Sequence, residues 1–133
     1  MRTLIDTDIL SRFFRNDAKV VARFSDYVHE YGEIHISIVT FYEIMSGLLH
    51  RDAQNQMARF TNFVATNQVL PLTQAAATQA AQLYAQTRQA GTPVDDIDLL
   101  IAGIALANNM AIATHNVAHF SKIPGLIVED WCV

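Results

Sequence analysis

Four polar residues occupy comparable places in this chain, each directly after an apolar run or in the first turn of a helical segment. They are Asp6, Glu43, Asp98 and Asn116. Because the carboxyl ends of parallel strands share the sheet edge where ligands bind, their oxygens are expected to meet there. Asp98 joins them only if its helix starts at that edge, which the break at 91–93 permits. Carboxylates gathered in this way have raised pKa values unless a cation lies between them.

The donor set defines the cation and the chemistry. Oxygen ligands without His or Cys partners select Mg²⁺ or Mn²⁺. Such an ion activates water and stabilises an oxyanion on a phosphodiester, and a second ion holds the leaving oxygen. The pattern therefore predicts metal-assisted phosphodiester hydrolysis. Asp8, Asp96 and Thr114 are expected to lie around the ligands, with Asp8 open to either a hydrogen-bonding role or direct contact with the ion.

Each of these residues also has a purely structural interpretation. Asp6 can cap a helix, although Asp8, nearer the expected helix start, suits that role better. Glu43 has capping-box spacing from Thr40. The acids near Asp98 favour the positive end of a helix dipole, and Asn116 can shape a turn.

Basic residues on the first two helical segments suggest a route for a polyanion. The stripe consists of Arg12, Arg15, Lys19 and Arg23. Arg12 and Arg15 are the candidate phosphate contacts, and the alternative is a solvated helix face. The aromatic residues in this part of the chain fit core positions better than base-stacking platforms.

Composition limits the possible classes. A chain of 133 residues with 51% hydrophobic and 17% charged residues is expected to form one domain, 1–133. The single Cys132 excludes an internal disulfide framework and a cysteine-based zinc cluster. Neither a signal segment nor a membrane span is expected, which suits the cytoplasm. The net charge of −4 argues against a nucleic-acid partner unless several acids are neutralised by a metal.

Periodicity predicts alternating strands and helices. Strands are expected at 2–6, 33–39, 69–72, 110–113 and 125–128, the third near an edge because of its proline. Helices are expected at 9–15, 17–31, 40–49, 52–66 and 73–89. The expected N-caps of the second, third and fifth of these helices are Asp17, Thr40 and Thr73. A further, nearly all-apolar helix begins at 95 or 96, and a turn spans 114–119. This alternation predicts a three-layer α/β/α fold with a roughly five-stranded parallel sheet.

Together the motifs resemble a family, the PIN-domain ribonucleases, and within it the toxins of VapBC toxin-antitoxin systems. The resemblance covers nearly the whole chain, in order and at sensible spacing. It is carried by Leu4-Ile5-Asp6-Thr7-Asp8, Thr40-Phe41-Tyr42-Glu43-Ile44, Gly47-Leu48, Asp98-Leu99-Leu100-Ile101-Ala102, Thr114-His115-Asn116, Phe120, Pro124-Gly125-Leu126 and Trp131.

The resemblance implies a PIN-like fold, Mg²⁺- or Mn²⁺-dependent cleavage of RNA (tRNA, rRNA or mRNA), a homodimer, and inhibition by a small cognate antitoxin that reaches the acidic pocket. Asp6, Glu43 and Asp98 match the three most characteristic acids of the family. The fourth position, frequently Asp, is Asn116. An Asn oxygen can still hold a water ligand, but one charge is lost, and Asp8 or Asp96 is placed to restore it.

Two other functions fit part of the pattern. Asp6-Thr7-Asp8 has the spacing of haloacid-dehalogenase-like phosphatases, in which Asp6 would attack phosphorus. That class also requires a suitably placed Lys, and Lys19 and Lys122 are the only lysines. The third possibility is a PIN-like binding module without catalysis, which Asn116 favours and the three retained acids oppose.

Overall fold

A five-stranded parallel sheet forms the centre of the fold. The computed structural model describes residues 1–133. The strands are β1 (Thr3–Ile5), β2 (His35–Ser37), β3 (Gln68–Leu70), β4 (Ala111–Ala113) and β5 (Val128–Glu129). Their order is β3-β2-β1-β4-β5, and Ile5 pairs with Ile36 on one side and Ala113 on the other. The predicted parallel sheet is confirmed, with β3 at an edge and β1 at the centre, where the strand order reverses.

Seven helices flank the sheet. They are α1 (Thr7–Phe14), α2 (Ala18–Tyr31), α3 (Ile38–His50), α4 (Gln54–Thr66), α5 (Gln74–Gln89), α6 (Asp96–Ala107) and α7 (Val117–Phe120). Asp17 and Thr73 cap α2 and α5 through side-chain bonds to backbone N–H groups, as predicted. None of these helices is both long enough and apolar enough to cross a bilayer.

The two faces of the sheet carry separate apolar clusters, because side chains alternate along a strand. Leu4 and Ile112 belong to the cluster covered by α5 and α6. Ile5 and Ala113 belong to the cluster covered by α1, α2 and α4. The three-layer prediction is therefore confirmed, and α6 is central as its composition indicated, with half of its residues buried.

The start of α3 differs from the prediction. Ser37 is the N-cap, with its Oγ accepting a hydrogen bond from the backbone N of Thr40 at 3.0 Å. Thr40 therefore lies inside the helix, Val39 is helical rather than extended, and Glu43 is not the partner in a capping box. The capping-box spacing was misleading because Ser37, three residues earlier, offers the same cap.

Other boundaries shift by a few residues. β3 begins one residue early and ends before Pro71, which lacks an N–H for a sheet. β5 occupies Val128–Glu129 rather than 125–128, since Gly125 has a left-handed φ of 81°. α4 begins at Gln54 rather than at 52, because Asp52 has a left-handed φ of 51°, which does not fit a right-handed helix. The predicted turn at 114–119 contains the start of α7.

Gly103 permits the close contact between α5 and α6. A Cβ at this position would lie 2.5 Å from the backbone O of Ala76 and 3.0 Å from the Cβ of Ala80. We expect Gly103→Ala to lower the free energy of unfolding by about 1–3 kcal/mol, because backbone must move. The matched control is Gly47→Ala, where the nearest atom is Arg51 Nη1 at 3.5 Å. Urea denaturation measures both, and equal stability of the two variants would contradict the prediction.

Candidate active site at the carboxyl edge of the sheet

Asp6 lies at the end of the central strand, where the strand order reverses. The residue is 7% exposed. Oδ1 accepts a hydrogen bond from the backbone N of Thr7 at 2.8 Å, and Oδ2 accepts one from Thr114 Oγ1 at 2.8 Å. Asp6 is thus the N-cap of α1, and the expectation that Asp8 would suit this role better is wrong. The helix begins at Thr7, one residue after the strand, so the same carboxylate caps the helix and faces the edge.

The environment of Asp6 disfavours its ionised form. Burial raises its pKa to about 7, and the neighbouring charges of Asp8 and, more weakly, Asp98 act in the same direction. The hydrogen bonds from Thr114 and Thr7 oppose the shift. Desolvation is therefore the main cause, with repulsion between carboxylates second, whereas the sequence pattern indicates repulsion alone.

Glu43 is held at the site by α1. Its Oε1 accepts a hydrogen bond from the Thr7 hydroxyl at 2.6 Å, and that hydroxyl also contacts Thr40 Oγ1 at 3.0 Å. Thr7 follows Asp6 directly, so one short segment fixes both acids. Residues 36 positions apart are joined by this bond.

Asp98 reaches the same edge from the first turn of α6. Burial is the largest cause of its raised pKa, and the charges of Asp95 and Glu43 add to it. His119 of α7 lies opposite, with Nδ1 3.7 Å from Asp98 Oδ2, and lowers that pKa in part. Since Asp98 acts on Asp6 and Glu43 acts on Asp98, all three acids share one electrostatic environment.

Asp8 is oriented toward the turn that follows β4. Its Oδ2 accepts a hydrogen bond from the backbone N of His115 at 3.1 Å. Its Oδ1 is buried and has no hydrogen-bond partner. A buried carboxylate oxygen without a partner is costly, and a cation would satisfy it.

Asn116 is connected to Asp6 through Thr114. Its backbone N–H donates to Thr114 Oγ1 at 3.0 Å, and the Thr114 hydroxyl donates to Asp6. The Asn116 side chain is exposed and makes no capping bond to α7. Thr114, in contrast, is fully buried. The Thr114 side chain therefore contacts Asp6 directly. Asn116 is linked to Asp6 only through Thr114, by its backbone N–H.

Two cavities meet at Glu43. One, of about 560 Å³, is lined by Asp95, Asp96 and Asp98 together with Arg88. Asp96 is exposed there and Asp95 occupies the N-cap position without a side-chain capping bond. The acids of α6 thus form a negatively charged wall, to which the Arg88 guanidinium adds one positive charge.

The other cavity, of about 460 Å³, is basic. Besides Glu43 and Thr7, it is lined by Arg15, Arg51 and Arg59. The structure places Arg15 here but not Arg12, which pairs with Asp17 at 3.6 Å. Arg51 and Arg59 were not identified from the sequence, because they lie on α4 and after α3 rather than on the predicted stripe.

Comparison with known proteins identifies the fold and the family. The PIN domain profile matches residues 3–126 of this chain. The chain belongs to the PIN-domain family. Among PIN-domain proteins it is similar to the tRNA(fMet)-specific endonuclease VapC of Shigella flexneri, with 32% identity over 98% of each chain. The enzyme of the same description from Salmonella typhimurium is 34% identical over 73% of this chain and 74% of its own.

Solved structures agree with the PIN-domain assignment. The matched chain in a crystal structure of DNA-bound VapBC from Salmonella typhimurium has a TM-score of 0.88, 27% identity and 99% coverage of both chains. The chain is therefore a PIN-domain ribonuclease of the VapC type.

PIN-domain nucleases generally use divalent metal ions, and the residues at this edge suit one. The donors are carboxylates, Asp6 is buried among like charges, and Asp8 has an orphaned oxygen. No three of the acids, however, have ligand atoms all within 4.8 Å of one another. This separation suits Mg²⁺, which keeps several waters and binds one or two carboxylates directly.

Two contacts of this PIN-domain site are not predicted by the sequence pattern. The pattern suggests Thr7 only as a hydrogen-bond partner of Asp8, and His119 either as a phosphate contact near the site or as a surface residue of the turn. The contacts of both depend on chain segments far apart in sequence, Thr7 with Glu43 and His119 with Asp98. The alternation of strand and helix gives no signal for either contact.

Thr7 should affect activity through Glu43. We expect Thr7→Val, which keeps the side-chain shape, to lower the rate of RNA cleavage about tenfold, because a hydrogen bond to a charged group contributes about 1.5–3 kcal/mol. The control is Thr78→Val, since Thr78 is exposed on α5 and bonds only to the Gln74 carbonyl. Single-turnover cleavage under saturating metal measures the rate. An unchanged rate would mean that Thr7 does not position Glu43.

Proposed function

We propose that this chain is a metal-dependent endoribonuclease that acts as the toxin of a type II toxin–antitoxin pair. Residues 1–133 form one PIN-like domain in this proposal, since both apolar clusters pack on one sheet. The observation that carries the proposal is the buried Asp6 carboxylate, whose pKa rises to about 7 beside Asp8 and Asp98 at the point of strand-order reversal. Ligands bind at this point in open α/β sheets.

The proposed catalytic residues have separate roles. Asp6, Glu43 and Asp98 are the carboxylates that would hold Mg²⁺ or Mn²⁺, directly or through its waters. When bound, the ion would supply charge stabilisation to the phosphate and activate water. Thr114 orients Asp6, and Thr7 orients Glu43. Asn116 contributes its amide at the mouth of the site, while Asp8 and Asp96 add negative charge around it.

A transfer RNA is the substrate class that we propose. Two relatives at 32% and 34% identity are described as tRNA(fMet)-specific endonucleases. Sequence-specific recognition of a tRNA is expected at its single-stranded loops, where bases can be splayed out, since side chains cannot read the deep groove of an RNA helix. The acidic cavity and the basic cavity that meet at Glu43 provide a metal site with a phosphate-binding flank beside it.

The role of the basic cavity in RNA binding can be tested directly. We expect Arg15→Glu combined with Arg51→Glu to lower RNA affinity about tenfold or more and to reduce its salt dependence, because fewer counterions are released. Arg23→Glu combined with Lys19→Glu is the control of equal charge change, since Arg23 lies with Thr3 at the opposite end of the sheet. Filter binding with a metal-free protein at several salt concentrations measures both quantities. Equal loss in the two double variants would indicate net charge rather than a defined RNA path.

The proposed partners are a small cognate antitoxin and a second copy of the chain. The similarity to chains from VapBC complexes supports the antitoxin. An antitoxin segment that supplies a cation to the acidic cavity would compete with the metal ion. As a toxin acting on cellular RNA, the protein is proposed to act in the cytoplasm. Sedimentation of the purified chain would determine whether it is a homodimer.

The experiment that tests the function uses purified, antitoxin-free protein and a mixed pool of tRNA and ribosomal RNA. Cleavage is followed with Mg²⁺, with Mn²⁺ and with chelator, and the products are mapped by primer extension. Metal-dependent cuts concentrated in tRNA loops are the expected result. Binding of metal with no cleavage of any RNA would favour the binding module instead.

The phosphatase alternative has little support. Neither cavity next to the acids is lined by a lysine, and that chemistry requires one near the nucleophile. The family assignment points the same way. Trapping of a phosphoryl group on Asp6 would nevertheless reverse this conclusion.

A further inference from the structure

Three side chains with different donor atoms converge outside the carboxylate pocket. They are His115, after β4, and Asp130 and Cys132, after β5. Their ligand atoms all lie within 4.8 Å of one another, and this is the one such group of three in the chain. His115 Nδ1 is 3.3 Å from Asp130 Oδ2. A single cysteine excludes a cysteine-based zinc cluster but is compatible with a site that has mixed ligands.

The backbone holds these donors in place. β4 and β5 pair in parallel, with Ala113 opposite Glu129, and the backbone N of Thr114 donates to the Glu129 carbonyl at 2.9 Å. The tail is fixed by Trp131, which is 3% exposed and donates from Nε1 to Glu129. A further bond joins the backbone N of Cys132 to Asp130 Oδ1 at 2.9 Å. Little ordering of the chain is therefore needed before an ion binds.

The donor atoms of these three side chains differ from those of the carboxylates at the candidate active site. An imidazole, a carboxylate and a thiolate are the usual ligands of Zn²⁺, with a water in the fourth position. Mg²⁺ prefers oxygen ligands and is unsuited to sulfur. His115 is half exposed, with 51% of its side chain accessible, while Asp130 is 21% accessible. An ion can thus enter from solvent.

We propose that His115, Asp130 and Cys132 form a second metal site, for a thiophilic divalent cation of the Zn²⁺ class. On binding, the Cys132 thiol loses its proton to solvent and the sulfur donates a pair to the ion. Burial raises the pKa of the Cys132 thiol, the charges of Asp130, Asp17 and Asp8 raise it further, and Arg12 lowers it, so the proton leaves only when the ion replaces it. The ligands of this site are separate from the carboxylates proposed for RNA cleavage, although His115 also donates its backbone N–H to Asp8. An ion held there would fix the turn that carries Thr114 and Asn116.

The test uses Co²⁺ as a spectroscopic substitute for Zn²⁺. Metal-free protein is titrated with Co²⁺ in excess Mg²⁺, and the thiolate-to-cobalt charge-transfer band is recorded. Because Cys132 is the only cysteine, this band reports a single side chain. We expect one ion per chain, displacement by Zn²⁺, and no displacement by Mg²⁺.

Variants then assign the ligands. We expect Cys132→Ser to abolish the band, and His115→Ala and Asp130→Asn each to weaken Co²⁺ binding at least about tenfold. His119→Ala is the matched histidine control, and Asp6→Asn removes the carboxylate of the proposed active site; both should retain the band. Circular dichroism checks that each variant is folded. The proposal would be overturned if wild-type protein showed no band, or if His115→Ala and Asp130→Asn both bound Co²⁺ as wild type does. A stoichiometry of one ion per two chains would also overturn it.

Discussion

Replacing Asp6 by Asn is expected to reduce metal-dependent RNA cleavage at least about a hundredfold, the scale on which loss of one electrostatic contributor affects a catalysed step. Asn keeps the size of the side chain, and its amide oxygen can still accept the capping bond from Thr7 N. Its amide nitrogen then faces Thr114 Oγ1, which must accept a hydrogen bond instead of donating one. It removes the negative charge that the ion requires. The loss should therefore arise from the metal site rather than from misplacement of α1.

The matched control is Asp26→Asn. Asp26 is exposed on α2 and lies with Thr3 at the amino end of the sheet, far from the proposed site. Its replacement changes net charge equally and should leave cleavage unchanged. Isothermal titration with Mn²⁺ should show weaker binding for Asp6→Asn alone. Cleavage that survives in this variant at the wild-type rate would remove Asp6 from the site.

The same substitution is expected to stabilise the metal-free protein at alkaline pH. The pKa of Asp6 is about 7 in the folded chain, whereas the ordinary pKa of an aspartate side chain is 3.8. Between these values the folded state holds more protons than the unfolded state, so stability falls as pH rises. The fall begins near pH 4, is complete above about pH 7, and amounts to roughly 4 kcal/mol. Asp6→Asn has no such group and should not show it.

Urea denaturation in chelator at pH 5 and pH 8 measures the effect. The informative quantity is the difference between wild type and Asp6→Asn, because a shift such as that of the His35 pKa, to which Asp6 does not contribute, is common to both proteins. Addition of Mg²⁺ at pH 8 should restore wild-type stability and have little effect on the variant. A difference that does not change with pH would mean that Asp6 is ionised at little cost in the folded chain.

Local sequence was sufficient to place the candidate acids on their elements. An apolar run that ends at Asp6 and the apolar periodicity after Thr73 and Asp96 depend only on neighbours in the chain, so they can be recognised without the fold. The main local error was the start of α3. Ser37 and Thr40 are both competent caps, and local spacing alone did not indicate which of them is used.

Tertiary structure decided which of these residues meet. The order β3-β2-β1-β4-β5 comes from pairing between strands up to about a hundred residues apart, and it places Thr114 against Asp6. The Thr7–Glu43 bond depends on the packing of α1 near α3 in the same way.

The residue types at the site were thus determined by the sequence: oxygen donors at strand ends and helix starts, which specify a hard cation. The raised pKa of Asp6 was decided mainly by its burial in the packed chain. The meeting of His115 with Asp130 and Cys132 was decided by the pairing of β4 with β5. Desolvation and strand register are long-range properties, so a local pattern names the donors while only the packed chain sets their distances.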